Sequence, residues 1–150
     1  MQTPASPHFT PLALDAAYNA SRAALDEALR PPPDVATAYG SQSYLGIPFL
    51  LGPAAGNNVI LLDQTPVTLA LDGLTATYLL FLHAVEDRVT NYQTGFADYA
   101  VDGNELGQSV AEYTLVYADG DQVATPILRR FAIQQGRILW GASPFAAQPH

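Results

Sequence analysis

The chain has 150 residues, of which 49% are hydrophobic and 13% charged, and its formal net charge is −8, from 14 acidic and 6 basic side chains. This length and hydrophobic content predict one globular domain and exclude a disordered chain. The acidic balance argues against binding to nucleic acid or to anionic membranes, and the absence of cysteine excludes disulfides and cysteine-ligated metals.

The N-terminal part of the sequence predicts an extended arm followed by a short helix. Residues 1–8 are polar and contain proline, and the apolar residues between 14 and 29 fall at helical spacing. The three prolines at 31–33 cannot continue a helix, so the helix must end before them. Its start is open: it begins either at Thr10, or near Ser21 after a first strand over residues 9–14.

The remainder of the chain predicts short antiparallel strands separated by turns. The nearly continuous apolar run at 77–84 is expected to be a central strand covered on both faces. The alternation at 111–117 predicts a strand with one buried face, and Asp119-Gly120 predicts a two-residue type I′ turn. Eight short strands and little helix predict an all-β antiparallel sandwich, with jelly-roll connectivity favoured over an immunoglobulin-like one. The expected strands cover residues 43–51, 59–62, 67–71, 77–84, 111–117, 122–129, 130–133 and 137–140.

The longest irregular segment, residues 85–109, carries the candidate ligand-binding residues. An aromatic ring can stack on the apolar face of a sugar, while amides and carboxylates bind the sugar hydroxyls in fixed directions. The alternative is that these aromatic residues only pack the segment against the sandwich. The candidate ligand-binding residues are Asn91, Tyr92, Asp98, Tyr99 and Glu105.

The same segment also offers oxygen ligands for a structural calcium ion. Asp98, Asp102 and Asn104 are the candidate metal ligands, although their spacing does not match an EF-hand loop. A solvated acidic turn is the alternative interpretation.

The sequence contains no catalytic motif. There is no nucleophile elbow, phosphate-binding loop, dinucleotide fingerprint or zinc-protease motif, so we expect a non-catalytic domain. A small hydrolase that uses His83 with carboxylates of the 85–109 segment is the least favoured alternative.

Three further features of the sequence have an expected role. His83 is expected to be a satisfied structural histidine, and the Arg129-Arg130 pair is expected to lie at a solvated strand end. An exposed apolar patch would instead indicate a partner-binding surface. The candidate patch residues are Tyr44, Leu45, Phe49, Pro144 and Phe145.

Four stretches, in order, resemble the galactose-binding-like β-sandwich domains that accompany bacterial carbohydrate-active enzymes. They are Gly-Ile-Pro-Phe at 46–49, Asn-Val-Ile at 58–60, Leu-Phe-Leu-His-Ala at 80–84 and Ala-Glu-Tyr-Thr-Leu-Val-Tyr-Ala-Asp-Gly at 111–120. The resemblance covers residues 9–140 and implies a jelly-roll with its ligand site in loops at one end, often with a calcium ion elsewhere. It supplies no universal binding residues, and the helix and prolines at 22–33 depart from the family pattern.

These observations together predict a non-catalytic carbohydrate-binding or accessory domain of a carbohydrate-active protein. Its partner would be a glycan or an adjacent catalytic domain, and the alternative is a structural domain that packs against a partner or self-associates. The expected organisation is an arm at 1–8, a sandwich at 9–141 and a tail or linker at 142–150. The sequence shows no signal peptide and no apolar run of about 20 residues, which predicts a cytoplasmic location if Met1 is the native start.

Overall fold

A computed structural model of the chain describes residues 5–29, 37–87 and 107–136. The contacts divide the chain into two compact units, Met1–Leu82 and His83–His150. Each unit contains, in its described residues, one two-stranded antiparallel sheet, and the helical structure there is confined to short 3-10 turns. The predicted all-β, antiparallel class is therefore confirmed.

The predicted N-terminal helix is replaced by isolated turns. The backbone N–H groups of Asn19 and Ala20 donate to the carbonyl oxygen of Val59, at 3.1 and 3.2 Å, and the N–H of Arg22 donates to Asn58 Oδ1 at 2.8 Å. Groups that a continuous helix would use for its own hydrogen bonds are thus taken by the 58–59 segment. The alternative strand over residues 9–14 is not formed either. The 3-10 turns are Asp15–Ala17, Arg22–Ala24 and Glu27–Leu29.

The first unit contains a β-hairpin where a single strand over 43–51 was predicted. Strand β1, Gly40–Tyr44, pairs antiparallel with strand β2, Ile47–Leu51, and Tyr44 lies opposite Ile47. The connecting residues Leu45 and Gly46 have φ values of 52° and 82°. Positive φ at both positions is the type I′ geometry that suits a two-residue hairpin loop. Gly46 therefore lies in a turn and not within a strand.

The predicted strands at 59–62, 67–71 and 77–84 are wrong within the described residues. Val59 forms only an isolated bridge with Ala20, and residues 75–80 make no backbone hydrogen bond within the described part of the chain. The apolar run is also not a buried one, since Tyr78 is 77% exposed. The turn predicted at Asp72-Gly73 is confirmed by positive φ values at both residues.

The second unit contains the predicted alternating strand. Strand β3, Ser109–Val116, pairs antiparallel with strand β4, Gln122–Leu128, with a register irregularity between Ser109 and Ala111. Side chains of β3 alternate between more buried and exposed positions, as the sequence predicts. The return strand is confirmed to within one residue.

The turn between β3 and β4 differs from the prediction. The N–H of Gly120 donates to the Tyr117 carbonyl at 3.0 Å, and the N–H of Tyr117 donates to the Asp121 carbonyl at 2.8 Å. Within this turn only Gly120 has a positive φ, 92°. The connection is therefore a three-residue turn ending in a left-handed glycine, not the two-residue type I′ turn.

The chain folds back tightly after β4, where a strand over 130–133 was predicted. Arg130 has a φ of 69°, and the N–H groups of Ala132 and Ile133 both donate to the Leu128 carbonyl. This return places Ile133 with Ile127 as the buried hydrophobic side chains of the described residues. The strand predicted at 137–140 lies outside the described residues.

Candidate functional site

The most extensive side-chain network in the described residues is centred on Arg129, at the end of β4. Its Nη2 donates to Glu86 Oε1 at 2.8 Å and forms an ion pair with it. Its Nη1 donates to the Glu86 carbonyl oxygen at 3.2 Å and to Gln135 Oε1 at 3.4 Å, and its Nε donates to Gln108 Oε1 at 3.1 Å. We refer to these four residues as the Arg129 network.

Burial makes the Arg129 network a structural anchor. The Arg129 side chain is 0% exposed, whereas that of Glu86 is 34% exposed. A buried guanidinium requires acceptors for its N–H groups, and here a carboxylate, a carbonyl and two amide oxygens supply them. The prediction that Arg129 lies at a solvated strand end is therefore wrong, because the return after β4 and residues 86, 108 and 135 enclose it.

The Arg129 network joins the two ends of the predicted ligand segment. Glu86 lies at the start of residues 85–109, and Gln108 lies at their end. Gln108 is held a second time through the backbone, since its carbonyl accepts the Arg129 N–H at 2.8 Å. One buried side chain thus fixes the positions at which the segment begins and ends.

A second polar pair, His83 and Tyr113, lies in the same unit. His83 Nε2 is 2.9 Å from the Ala132 carbonyl oxygen, and its Nδ1 is 2.8 Å from the Tyr113 hydroxyl. Because a carbonyl oxygen only accepts, Nε2 is the donor in the contact with Ala132, while Nδ1 is paired with the Tyr113 hydroxyl. Burial raises the pKa of Tyr113, which keeps the phenol protonated.

The two ring nitrogens of His83 are both engaged within the protein. A histidine acting as a general base needs a nitrogen directed at a substrate proton. The arrangement therefore fits the structural interpretation of His83, in which the ring connects β3 to the return after β4.

The tip of the β3–β4 hairpin presents an aromatic ring beside two carboxylates. Tyr117, Asp119 and Asp121 are exposed. A third hydrogen bond, from the Asp121 N–H to Asp119 Oδ1 at 3.1 Å, adds to the two backbone bonds of this turn. It offers stacking and hydrogen-bonding groups, but no residue of it was selected from the sequence.

The first unit has its own buried polar centre at Asn58, which is 4% exposed. Its Oδ1 accepts the Arg22 N–H, and its Nδ2 donates to the Pro53 carbonyl at 3.0 Å. Gly52 lies so close that an added Cβ would be 2.6 Å from the Asn58 Cα. The site positions backbone segments and presents no reactive group.

The Arg22 side chain extends this centre toward β1. Its Nη1 donates to the Ala38 carbonyl at 2.8 Å, and its guanidinium lies 4.8 Å from the centre of the Tyr39 ring. This cation–π contact holds residues 38–39 at the entrance to the hairpin.

A groove of about 330 Å³ also lies in the first unit, between residues 12–17 and 68–72. Leucine and alanine side chains supply most of its lining, and Asp72 is the one carboxylate among the lining residues. The groove can hold an apolar group, and its lining contains no acid–base pair.

The structure does not test the candidate residues selected from the sequence. Asn91, Tyr92, Asp98, Tyr99 and Glu105, and the metal ligands Asp102 and Asn104, lie outside the described residues. Among the described residues there is no group of acidic or histidine side chains that could hold a metal ion. Nor does the described part contain a helix long and apolar enough to cross a membrane.

The residues that sequence reasoning missed are those of the Arg129 network. The available signal was the Arg129-Arg130 pair inside the otherwise apolar run at 127–133, where a charged side chain indicates a buried partner. Nothing in the sequence identified Glu86, Gln108 and Gln135 as that partner set, because they lie far from one another along the chain.

Comparison with known proteins gives no further assignment: no protein-family model, curated protein or solved structure matches this chain.

Proposed function

We propose that this chain is a non-catalytic, carbohydrate-binding accessory domain of a carbohydrate-active protein, with a jelly-roll sandwich of the galactose-binding-like kind. The observation that supports the proposal best is the Arg129 network. It ties Glu86 to Gln108, and these residues lie at the two ends of the segment that carries the candidate sugar-binding side chains.

Fixed loop ends matter for this function because a binding loop loses conformational entropy when its ligand binds. A scaffold that holds both ends in place lowers that cost and sets the position of the side chains between them. Sugar-binding loops combine tyrosine rings with amides and carboxylates, the residue types found at Asn91, Tyr92, Asp98, Tyr99 and Glu105.

A glycan array followed by calorimetry tests the proposal. We expect weak binding to a glycan, with a dissociation constant in the range of about micromolar to millimolar. Tyr92→Ala or Tyr99→Ala should abolish it. Tyr117→Ala is the matched control, since it removes an exposed tyrosine of the same unit outside the 85–109 segment. Binding to no glycan, or equal loss in the control, would contradict the proposal.

The proposal includes a structural calcium ion held by Asp98, Asp102 and Asn104. Binding to the folded state alone would raise the midpoint of thermal unfolding as calcium is added. A melt in excess calcium and one in chelator should therefore differ, and Asp98→Asn should reduce the difference. Identical midpoints would remove calcium from the proposal and leave glycan binding to be judged separately.

The second candidate function is that of an interaction domain, and a specific observation favours it. Large apolar side chains are exposed in the first unit, including Leu45, which is 97% exposed at the β1–β2 turn. Of the patch residues expected from the sequence, Tyr44 and Phe49 contact each other with ring centres 6.0 Å apart. Exposed apolar surface of this kind commonly marks a protein-binding site.

A further inference from the structure

Two Asp-Gly pairs of the described residues, Asp72-Gly73 and Asp119-Gly120, lie in exposed turns. This dipeptide can rearrange chemically, because glycine has no side chain to hinder its own nitrogen when that nitrogen attacks the preceding carboxyl group. Space is open at both positions, since a Cβ added to either glycine would meet no described atom within 4 Å. The two pairs therefore match in sequence, exposure and space.

Hydrogen bonds hold both reacting groups of the Asp119-Gly120 pair. The Gly120 N–H donates to the Tyr117 carbonyl at 3.0 Å. The Asp119 carboxylate is held as well, because its Oδ1 accepts the Asp121 N–H at 3.1 Å. The nitrogen and the carboxylate must each give up a partner before they can react with one another.

The Asp72-Gly73 pair lies at the centre of a turn that is closed by its outer residues. The Leu74 N–H donates to the Leu71 carbonyl at 2.9 Å. The φ values of 45° at Asp72 and 74° at Gly73 are those of a type I′ turn. Within the described part of the chain, neither the Asp72 carboxylate nor the Gly73 N–H makes a hydrogen bond. Neither reacting group has a bond to give up.

We propose that Asp72-Gly73 is a modification site at which aspartate converts spontaneously to isoaspartate, in preference to Asp119-Gly120. The Gly73 nitrogen gives up its proton and bonds to Cγ of Asp72, whose hydroxyl group leaves with that proton as water. Water then adds to the succinimide ring and breaks one of its two C–N bonds. Cleavage at the backbone carbonyl gives isoaspartate, and cleavage at Cγ restores aspartate, so the water released equals the water consumed.

The hydrogen bond of the glycine N–H controls the rate, because only the deprotonated nitrogen attacks Cγ. A hydrogen-bonded amide must open before it can lose its proton, as it must in hydrogen exchange. At Gly120 this opening breaks the bond to Tyr117, and Asp119 must also release the Asp121 N–H. We expect these bonds to slow the reaction by about tenfold relative to Asp72-Gly73.

Isomerisation changes the groove of the first unit, because Leu71 and Asp72 line it together with residues 12–17. The main chain of an isoaspartyl residue runs through its Cβ, which lengthens the turn by one methylene group and leaves the carboxylate attached directly to Cα. The charge of the residue stays the same. The modification therefore alters the shape of the groove without altering its charge.

The test incubates the full chain at neutral pH in water labelled with heavy oxygen, both folded and in guanidinium chloride. Each hydrolysis of a succinimide places one heavy oxygen in the residue, and mass spectrometry of peptides locates it. Cleavage after Arg88 and Tyr113 puts each Asp-Gly pair of the sequence on its own peptide, including the pair at 102–103, which lies outside the described residues. In the folded chain, label at Asp72 should accumulate about tenfold faster than at Asp119. In guanidinium chloride the two rates should converge.

Matched variants make the comparison faster and more direct. Asp72→Asn and Asp119→Asn form the same ring by releasing ammonia instead of water, and each keeps the turn hydrogen bonds of its own position. The first should deamidate about tenfold faster than the second in the folded chain. Asp72→Glu is the control for assignment, because its longer side chain cannot close the same ring and should abolish the signal. Circular dichroism should show that each variant keeps the wild-type fold.

Hydrogen exchange checks the premise, since the Gly73 N–H should exchange faster than the Gly120 N–H in the folded chain. Equal rates of labelling at Asp72 and Asp119 in the folded chain, or a faster rate at Asp119, would overturn the proposal. Equal deamidation of the two asparagine variants would overturn it as well. A difference that persists unchanged in guanidinium chloride would also count against it, because the local sequence and not the turn would then set the rate.

Discussion

The Arg129 network leads to a prediction that is the opposite of what side-chain exposure alone would suggest. Substitution of the half-buried Glu86 should destabilise the protein more than substitution of the fully buried Arg129. The reason is what each change leaves behind. Glu86→Ala leaves a guanidinium that is 0% exposed without its carboxylate, whereas Arg129→Met leaves a carboxylate that is 34% exposed and can be rehydrated.

The magnitudes follow from the contacts. An uncompensated buried charge costs about 3–5 kcal/mol, and this is the expected loss for Glu86→Ala. In Arg129→Met, which conserves much of the volume, the main cost is that the side-chain oxygens of Gln108 and Gln135 lose a donor. We expect a loss of about 1–3 kcal/mol. The double variant should resemble Arg129→Met, because no buried charge remains to be compensated.

Urea unfolding of the wild type, the two single variants and the double variant measures these free energies as a double-mutant cycle. The most informative result is a double variant that is more stable than Glu86→Ala alone. If Arg129→Met is the more damaging single change, or if the two losses simply add, then the guanidinium is not dependent on Glu86 and the reasoning fails.

The remaining predictions concern single positions in each unit. Gly52→Ala should destabilise the protein by about 1–3 kcal/mol, since its Cβ would meet the Asn58 backbone, and unchanged urea unfolding would contradict this. Asn58→Ala should cost about 1–3 kcal/mol in the same assay, because the part-buried Arg22 N–H loses its acceptor. The raised pKa of Tyr113 predicts a free energy of unfolding that is fully retained below the ordinary tyrosine pKa of 10.0 and falls as pH rises through the raised value. Tyr113→Phe should make the free energy of unfolding decrease less steeply at alkaline pH. Part of the decrease should remain, because burial also raises the pKa of Tyr18. An unchanged slope would count against the burial of Tyr113.

Local signals in the sequence predicted the second hairpin and the positions of two turns. The alternation around Tyr113 identified β3, and the glycines at 73 and 120 marked turns. These features depend on residues close in sequence, so periodicity and turn chemistry contain the necessary information. The length of the turn at Gly120 was missed, because Asp-Gly is compatible with more than one hairpin geometry.

Features that depend on distant residues were not predictable in the same way. The helical pattern at 14–29 was overridden by hydrogen bonds from Asn58 and Val59, which lie more than thirty positions away. The apolar run at 77–84 signalled burial, but burial depends on whether another element covers the run. Arg129 is the clearest case, since its surroundings consist of residues separated by up to 43 positions.

The position of the Arg129 network has a consequence for how new specificities could arise. Its four side chains lie outside residues 88–106, so exchanges within that interval leave these four side chains in place. The interval is therefore suited to grafting, in which a library of sequences that keeps Asp98, Asp102 and Asn104 is inserted between constant flanks. Selection of such a library on immobilised ligands would vary the grafted residues while the Arg129 network stays the same.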